Sequence, residues 1–201
     1  MIMKINATYF FSAMVALLVA ASCSSRQQSG QEAPDSIDTI AYMKSGDSIT
    51  RIMQEVLLKN VMQATKAGGA VYAVEFCNER AMPLTDSLSA IYNCRIQRIS
   101  DRFRNPANKP TESDLPVLEG MMSSGQAKPV VTSDAGSIVY YKPIKIGMAS
   151  CLNCHGSENG QIDSNTLDVI KQKYPADNAT GYKEGDLRGA WKITFQKPEQ
   201  H

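Results

Sequence analysis

Residues 71–100 read VYAVEFCNERAMPLTDSLSAIYNCRIQRIS, and their periodicity changes once, at Tyr92. Before it, Val74, Cys77, Ala81, Leu84 and Leu88 recur at three- and four-residue spacing. That spacing predicts an amphipathic helix over 71–92, interrupted or bent near Pro83, with Cys77 on the core-facing stripe. Beyond it, 95–100 alternates with the two-residue rhythm of a strand. Upstream, Gly68-Gly69 separates this helix from an earlier one that Asp47 or Ser48 caps and that runs to about Lys66. Ile49, Ile52, Met53, Val56, Leu57 and Val61 share one face of it. Downstream, 102–110 is turn-like, with two prolines, and a short helix is predicted over 113–123. Strands follow at 128–132 and 137–146, with Asp134-Ala135-Gly136 as their hairpin turn. A helix over 166–174 and a last strand over 187–196 complete the chain. Two helices followed by antiparallel strands predict an α+β domain.

The chain has 201 residues, 43% of them hydrophobic, which suits one packed domain, expected over 47–201. Its 21 Lys and Arg against 20 Asp and Glu give none of the basic excess of a nucleic-acid binder. Residues 1–22 stand apart: Lys4 precedes an apolar run over 9–21, too short to span a bilayer comfortably, and Ala20, Ala21 and Ser22 are small. The leader's end, Leu18-Val19-Ala20-Ala21-Ser22-Cys23, resembles a bacterial lipobox, with Ala20 where Leu is commoner. The expectation is a cleaved signal and lipidation at Cys23, giving an exported protein anchored to a bacterial membrane and facing the periplasm. Residues 23–46, polar and without an aromatic residue up to Ile40, are expected to form the tether. Losing the leader's one cation leaves 20 positive against 20 negative side chains, so a partner must be recognised through a local patch.

The chemistry concentrates at Cys151-Leu152-Asn153-Cys154-His155-Gly156. Covalent haem attachment needs two thiols spaced to meet the two vinyl groups and an imidazole next in sequence to reach the iron, and Cys-x-x-Cys-His supplies all three. Gly156 then lets the backbone turn away close to a porphyrin. Two other readings exist. A redox dithiol needs no His after the second Cys, and a zinc site lacks a second Cys pair or clustered His residues to complete four ligands. One haem c, held through Cys151 and Cys154 with His155 on the iron, is therefore expected.

The sixth ligand is less determined. The second histidine, His201, is the terminal residue, where fraying is the rule. Met43, Met53, Met62, Met82, Met121, Met122 and Met148 compete with cysteine, though Met is also a common core filler. With Cys23 given to lipid and Cys151 and Cys154 to haem, Cys77 and Cys94 remain, and in an oxidising compartment they are able to form a disulfide.

Four blocks in order resemble the single-haem, PAS-like c-type haem domain family: 73–81, 104–108, 151–156, and the tail over 174–182 and 185–191, with its Tyr174-Pro175-Ala176-Asp177-Asn178 and Gly185-Asp186-Leu187-Arg188-Gly189-Ala190-Trp191. The likeness spans about 68–195. It implies a PAS-like antiparallel sheet with flanking helices, and iron held between His155 and Cys77; Cys94 falls outside the four blocks. A Cys77 thiolate would favour ferric iron and a potential below that of His/Met cytochromes. Arg104, Asn105 and Arg188 are candidates for the haem propionates, with turn chemistry and surface ion pairs as the alternative for each. With both axial positions filled and no output domain visible, electron transfer with an unidentified redox partner is the leading expectation and turnover chemistry is not expected. The alternative is a redox or gas sensor that signals through a separate partner protein.

Overall fold

The computed structural model describes residues 38–124 and 127–196, so the leader, the lipidation candidate Cys23 and His201 lie outside the described part. Helix α1 (Thr39–Ile91) begins eight residues before the expected Asp47. Asp38 is the cap that sequence reading overlooked: its side chain accepts a hydrogen bond from the Ala41 amide at 2.9 Å. The added turns are not idle tether. Tyr42 packs its ring against Phe195, tilted, with centroids 5.0 Å apart, and Met43 packs against the main core. Gly46 seats this end on the sheet, because a Cβ there would lie 2.3 Å from the ring of the fully buried Tyr140. The expected break falls at Gly68 and Gly69, where the backbone leaves helical angles (φ −152° and +74°). The expected interruption at Pro83 is absent: the helix runs through it, its backbone departing from helical angles only at the two glycines.

Four strands form one antiparallel sheet in the order β1-β4-β3-β2: β1 (Cys94–Ile99), β2 (Val130–Asp134), β3 (Ser137–Lys145) and β4 (Leu187–Phe195). The β2–β3 turn has Ala135 and Gly136 both at positive φ (46° and 76°), the primed geometry that matches strand twist. Alternation divides the sheet's side chains. Trp191, Ile193, Ile96 and Tyr140 pack with Ile49, Met53 and Leu57 of α1, while Ala190, Val139 and Tyr141 pack with Leu118 and Met121 of α2 (Leu115–Ser123) on the other face. The molecule is thus α+β with helices on both faces of a four-stranded sheet. The one-turn helix α3 (Leu152–His155) and α4 (Ser164–Lys173) lie between β3 and β4 in sequence. Asp163 caps α4 through the Thr166 amide at 2.9 Å, and Ile170 and Tyr174 pack on Val74 of α1. Among the described residues no helix is long and apolar enough to cross a membrane.

On the α2 face Lys192 reaches Asp114 at 2.6 Å, with side chains 8% and 1% exposed. Tyr141 donates to the same carboxyl at 2.7 Å and the Thr111 amide at 2.8 Å. Burial alone would raise the Asp114 pKa; the bonds from Lys192, Thr111 and Tyr141 outweigh it and hold the carboxyl below its usual range. Asp114→Ala strands the Lys192 ammonium, and the expected loss is about 3–5 kcal/mol of unfolding free energy. Replacing Lys192 by Met in the same chain should recover most of it, as chemical denaturation will show. Because the folded pKa is depressed, the Asp114 contribution is complete above the unfolded carboxyl value of about 4. It is lost as pH falls through the lower folded value, so stability should decline with acid below about pH 4 and do so less in the double variant.

Candidate functional site

The kinked helix α1, the β1–β4–β3 part of the sheet and the 146–155 segment enclose a cavity of about 470 Å³. Its walls are mostly apolar, with Leu57, Val61 and Val74 from α1 facing Ile146 and Trp191. Every predicted site residue within the described part lines this cavity: Cys77, Arg104, Asn105, Cys151, Cys154, His155 and Arg188. They come from positions over a hundred residues apart and meet only through the fold.

The Cys-x-x-Cys-His segment is built tightly. A 3₁₀ turn (Ala149–Cys151) runs into α3, so Cys151, Cys154 and His155 occupy consecutive turns. Sequence reading missed both short elements, which are too brief to carry a periodic pattern. Gly156 also has a packing reason in the fold itself. A Cβ there would lie 2.6 Å from the Leu152 carbonyl oxygen and 2.7 Å from Gln161, so glycine is required by the protein's own packing.

His155 is held in one tautomer. Its Nδ1–H donates to the Ala179 carbonyl at 2.8 Å, which leaves the Nε2 lone pair as the ring's open donor to a ligand. Burial, reinforced by the positive charges of Arg104 and Arg188, pushes the imidazole well below its ordinary pKa and keeps it neutral. Tyr182 sits edge-on to the ring at 6.3 Å.

Arg104 holds this arrangement together. The residue is 9% exposed, and its guanidinium pairs with Asp177 through Nε at 3.0 Å and Nη2 at 3.1 Å. Nη2 also donates to the carbonyls of Cys154 (2.6 Å) and Ala179 (3.3 Å). These groups clamp the backbone beside His155, and the bond to Asp177 is an ion pair, the alternative weighed for Arg104, though a buried one. Asn105 caps the 3₁₀ turn Pro106–Asn108 through the Ala107 amide at 2.9 Å, the turn chemistry weighed as its alternative.

Arg188 is different. It donates to Ser100 Oγ and the Arg102 carbonyl, both at 3.0 Å, lies 5.4 Å over the Tyr182 ring, and pairs with no carboxylate among the described residues. Burial lowers its pKa to about 10, which leaves it charged at neutral pH. Arg98, which sequence reading passed over, also lines the cavity. It sits opposite Trp191 in the β1–β4 register, 5.9 Å over that ring, and its guanidinium has no hydrogen bond or ion pair among the described residues. The signal was there: Cys94, Ile96 and Arg98 share one face of β1, and the first two are buried core residues.

The remaining thiols separate. Cys77 and Cys94 are both free, and Cys94 is packed in the core cluster with Ile49 and Ile193, so the disulfide considered above does not form. Burial raises the Cys77 pKa, opposed by the charges of Arg98 and Arg104. Of the methionines, Met53 and Met121 are core residues, while Met62, Met82 and Met148 reach the cavity. Among the described residues no group of three His, Cys, Asp or Glu side chains is placed to hold a metal ion by itself.

A family model described as Tll0287-like (Tll0287) matches residues 25–196. The chain belongs to the Tll0287-like family. Among solved structures, that of the cyanobacterial heme-protein Tll0287 matches with a TM-score of 0.55 and 21% identity, over 77% of this chain and 98% of that one. At that identity the likeness is one of fold. No curated protein matches the chain.

Arg104→Met should uncouple the clamp. With Asp177 left buried and unpaired, the expected destabilisation is about 3–5 kcal/mol. Amide hydrogen exchange at Ala179, Gly181 and Tyr182 should accelerate beyond that at Ile193, whose surroundings the change does not touch.

Proposed function

We propose that this chain is a mono-haem c-type cytochrome acting in electron transfer, with haem linked to Cys151 and Cys154 and iron held between His155 and Cys77. The observation that carries the proposal is that His155, its Nδ1–H committed to Ala179, lines one cavity together with its two flanking thiols and the Cys77 thiol. The family and the fold of a heme-protein relative support it. The chemistry of the walls fits the group as well. Leu57, Val61, Val74 and Trp191 offer an apolar surface to a porphyrin, and Arg98 and Arg188, two cations without carboxylate partners among the described residues, suit its two propionates.

When bound, the haem supplies one-electron chemistry at its iron. The protein's own groups do the rest. Cys151 and Cys154 fix the cofactor covalently, and Ala179 orients the imidazole of His155. Cys77 brings a sulfur ligand whose negative charge favours the oxidised state. The apolar walls keep water from the metal. In this reading the sheet and its flanking helices are a PAS-like scaffold, and lipidation of Cys23 anchors the exported protein at a membrane face.

Expression with c-type maturation should yield a protein whose haem stays attached after acid–acetone extraction. Cys151→Ala should shift its pyridine haemochrome band to that of a single thioether. Cys77→Ala should abolish a low-spin thiolate EPR signal and raise the midpoint potential. An unchanged signal removes Cys77 from the iron and brings Met62, Met82 and Met148 forward. Ready CO binding by the reduced wild type, with Cys77 displaced, would instead favour the sensor reading.

A further inference from the structure

The cavity carries a charge excess that the whole chain does not. Lys66, Arg98, Arg104, Lys145 and Arg188 line it, and among the described residues no Asp or Glu does. The full sequence is nearly balanced, at 21 cations to 20 acids, so this excess is a local feature. Arg104 is answered by Asp177. Under the haem reading, Arg98 and Arg188 are answered by the propionates. Lys66 on α1 and Lys145 at the end of β3 remain, both exposed and neither in an ion pair among the described residues. Beside them, Met62 and Met148 line the same cavity and are 61% and 40% exposed, far above the usual state of such side chains.

We infer that this mouth is the docking face for an acidic one-electron carrier protein, with a flavodoxin hydroquinone as its probe. The inference rests on the haem reading above. Apolar contacts framed by cations of one sign form the usual anatomy of a transient protein interface: the flexible Met side chains adapt to the partner and the lysines set its orientation. A small anion would use the lysines but gain nothing from Met62 and Met148. Because the chain has almost no net charge, encounter must be steered by this patch, and the rate must fall with salt. The step itself moves one electron: the flavodoxin's anionic hydroquinone is oxidised to the neutral semiquinone, and no proton is lost. The cytochrome takes up that electron and is reduced from ferric to ferrous, and no bond is made.

The test uses the full-length holoprotein in detergent and stopped-flow reduction by an acidic flavodoxin in its hydroquinone form, with a neutral quinol as control. Lys66→Glu/Lys145→Glu should slow reduction by flavodoxin about ten-fold or more at low ionic strength and flatten its salt dependence. Reduction by the neutral quinol should be unaltered, as should the visible spectrum. Met62→Ser/Met148→Ser should weaken the reaction without changing its salt slope. A flavodoxin rate that is insensitive to both charge reversal and salt overturns the docking face. So does a result in which the lysines matter only for association with phosphatidylglycerol vesicles. If no haem is attached, the functional reading fails separately. Calorimetric titration of oxidised flavodoxin into the haem-free chain then decides the docking face, by salt-sensitive binding that the Lys66→Glu/Lys145→Glu variant either loses or keeps.

Discussion

The buried pair between Arg104 and Asp177 is the interaction on which the site's geometry depends. Asp177 also accepts the Ala179 amide at 3.0 Å, and Arg104 reaches the carbonyls of Cys154 and Ala179. One ion pair therefore joins the end of the Cys-x-x-Cys-His turn to the loop that orients its imidazole. Groups 50 to 75 residues apart in sequence are held at hydrogen-bond distance. A buried pair of this kind is a poor source of net stability, since desolvation offsets much of the attraction. Its value is geometric. Three carbonyl and carboxylate partners around one planar guanidinium admit few alternative arrangements, and a ligand imidazole that is free to rotate is a weaker ligand.

The sheet keeps two charged systems apart. In β4, Trp191 faces α1 and the cavity, while its neighbour Lys192 points to the opposite face and its bond with Asp114. Arg98 and Lys142 stand beside Trp191 on the two neighbouring strands, and Trp191 also donates from Nε1 to Gln54 at 2.8 Å. Strand alternation thus does more than bury hydrophobic residues. It assigns Lys192 to a saturated network that anchors α2, and Arg98 to a cavity wall where its charge remains available.

Local chemistry was legible in the sequence; distant pairing was not. The Cys-x-x-Cys-His run carries its meaning in five adjacent residues, and the helical phase of Cys77 follows from Val74 and Ala81 alone. Strand limits were read to within two residues because turns such as Asp134-Ala135-Gly136 punctuate them. Helix α1 was started late because Asp38 caps it from within a stretch whose composition is that of a tether. The pairing of Arg104 with Asp177 was not legible for a deeper reason. Its partners Cys154, Asp177 and Ala179 are defined by tertiary contact, and nothing near residue 104 indicates them. Arg98 lay between these cases. A cation in register with two buried core residues of an amphipathic strand breaks the local pattern, and such breaks collect where function has overruled packing.

That break has an energetic meaning. A guanidinium facing an apolar wall without a carboxylate or hydrogen-bond partner is destabilising relative to the same group in water, and an aromatic ring such as Trp191 offsets only part of this. Arg188 shares the condition, with two neutral acceptors and a ring but no anion among the described residues. Elsewhere the chain meets the same difficulty with complete pairing, as Asp114 and Lys192 show. Two cations without a carboxylate partner among the described residues, at one cavity, are therefore not a limit of what this sequence is able to build. An anionic ligand held between them would therefore stabilise the fold as it binds. Site preorganisation and fold stability are in that sense the same property, expressed through Arg98 and Arg188.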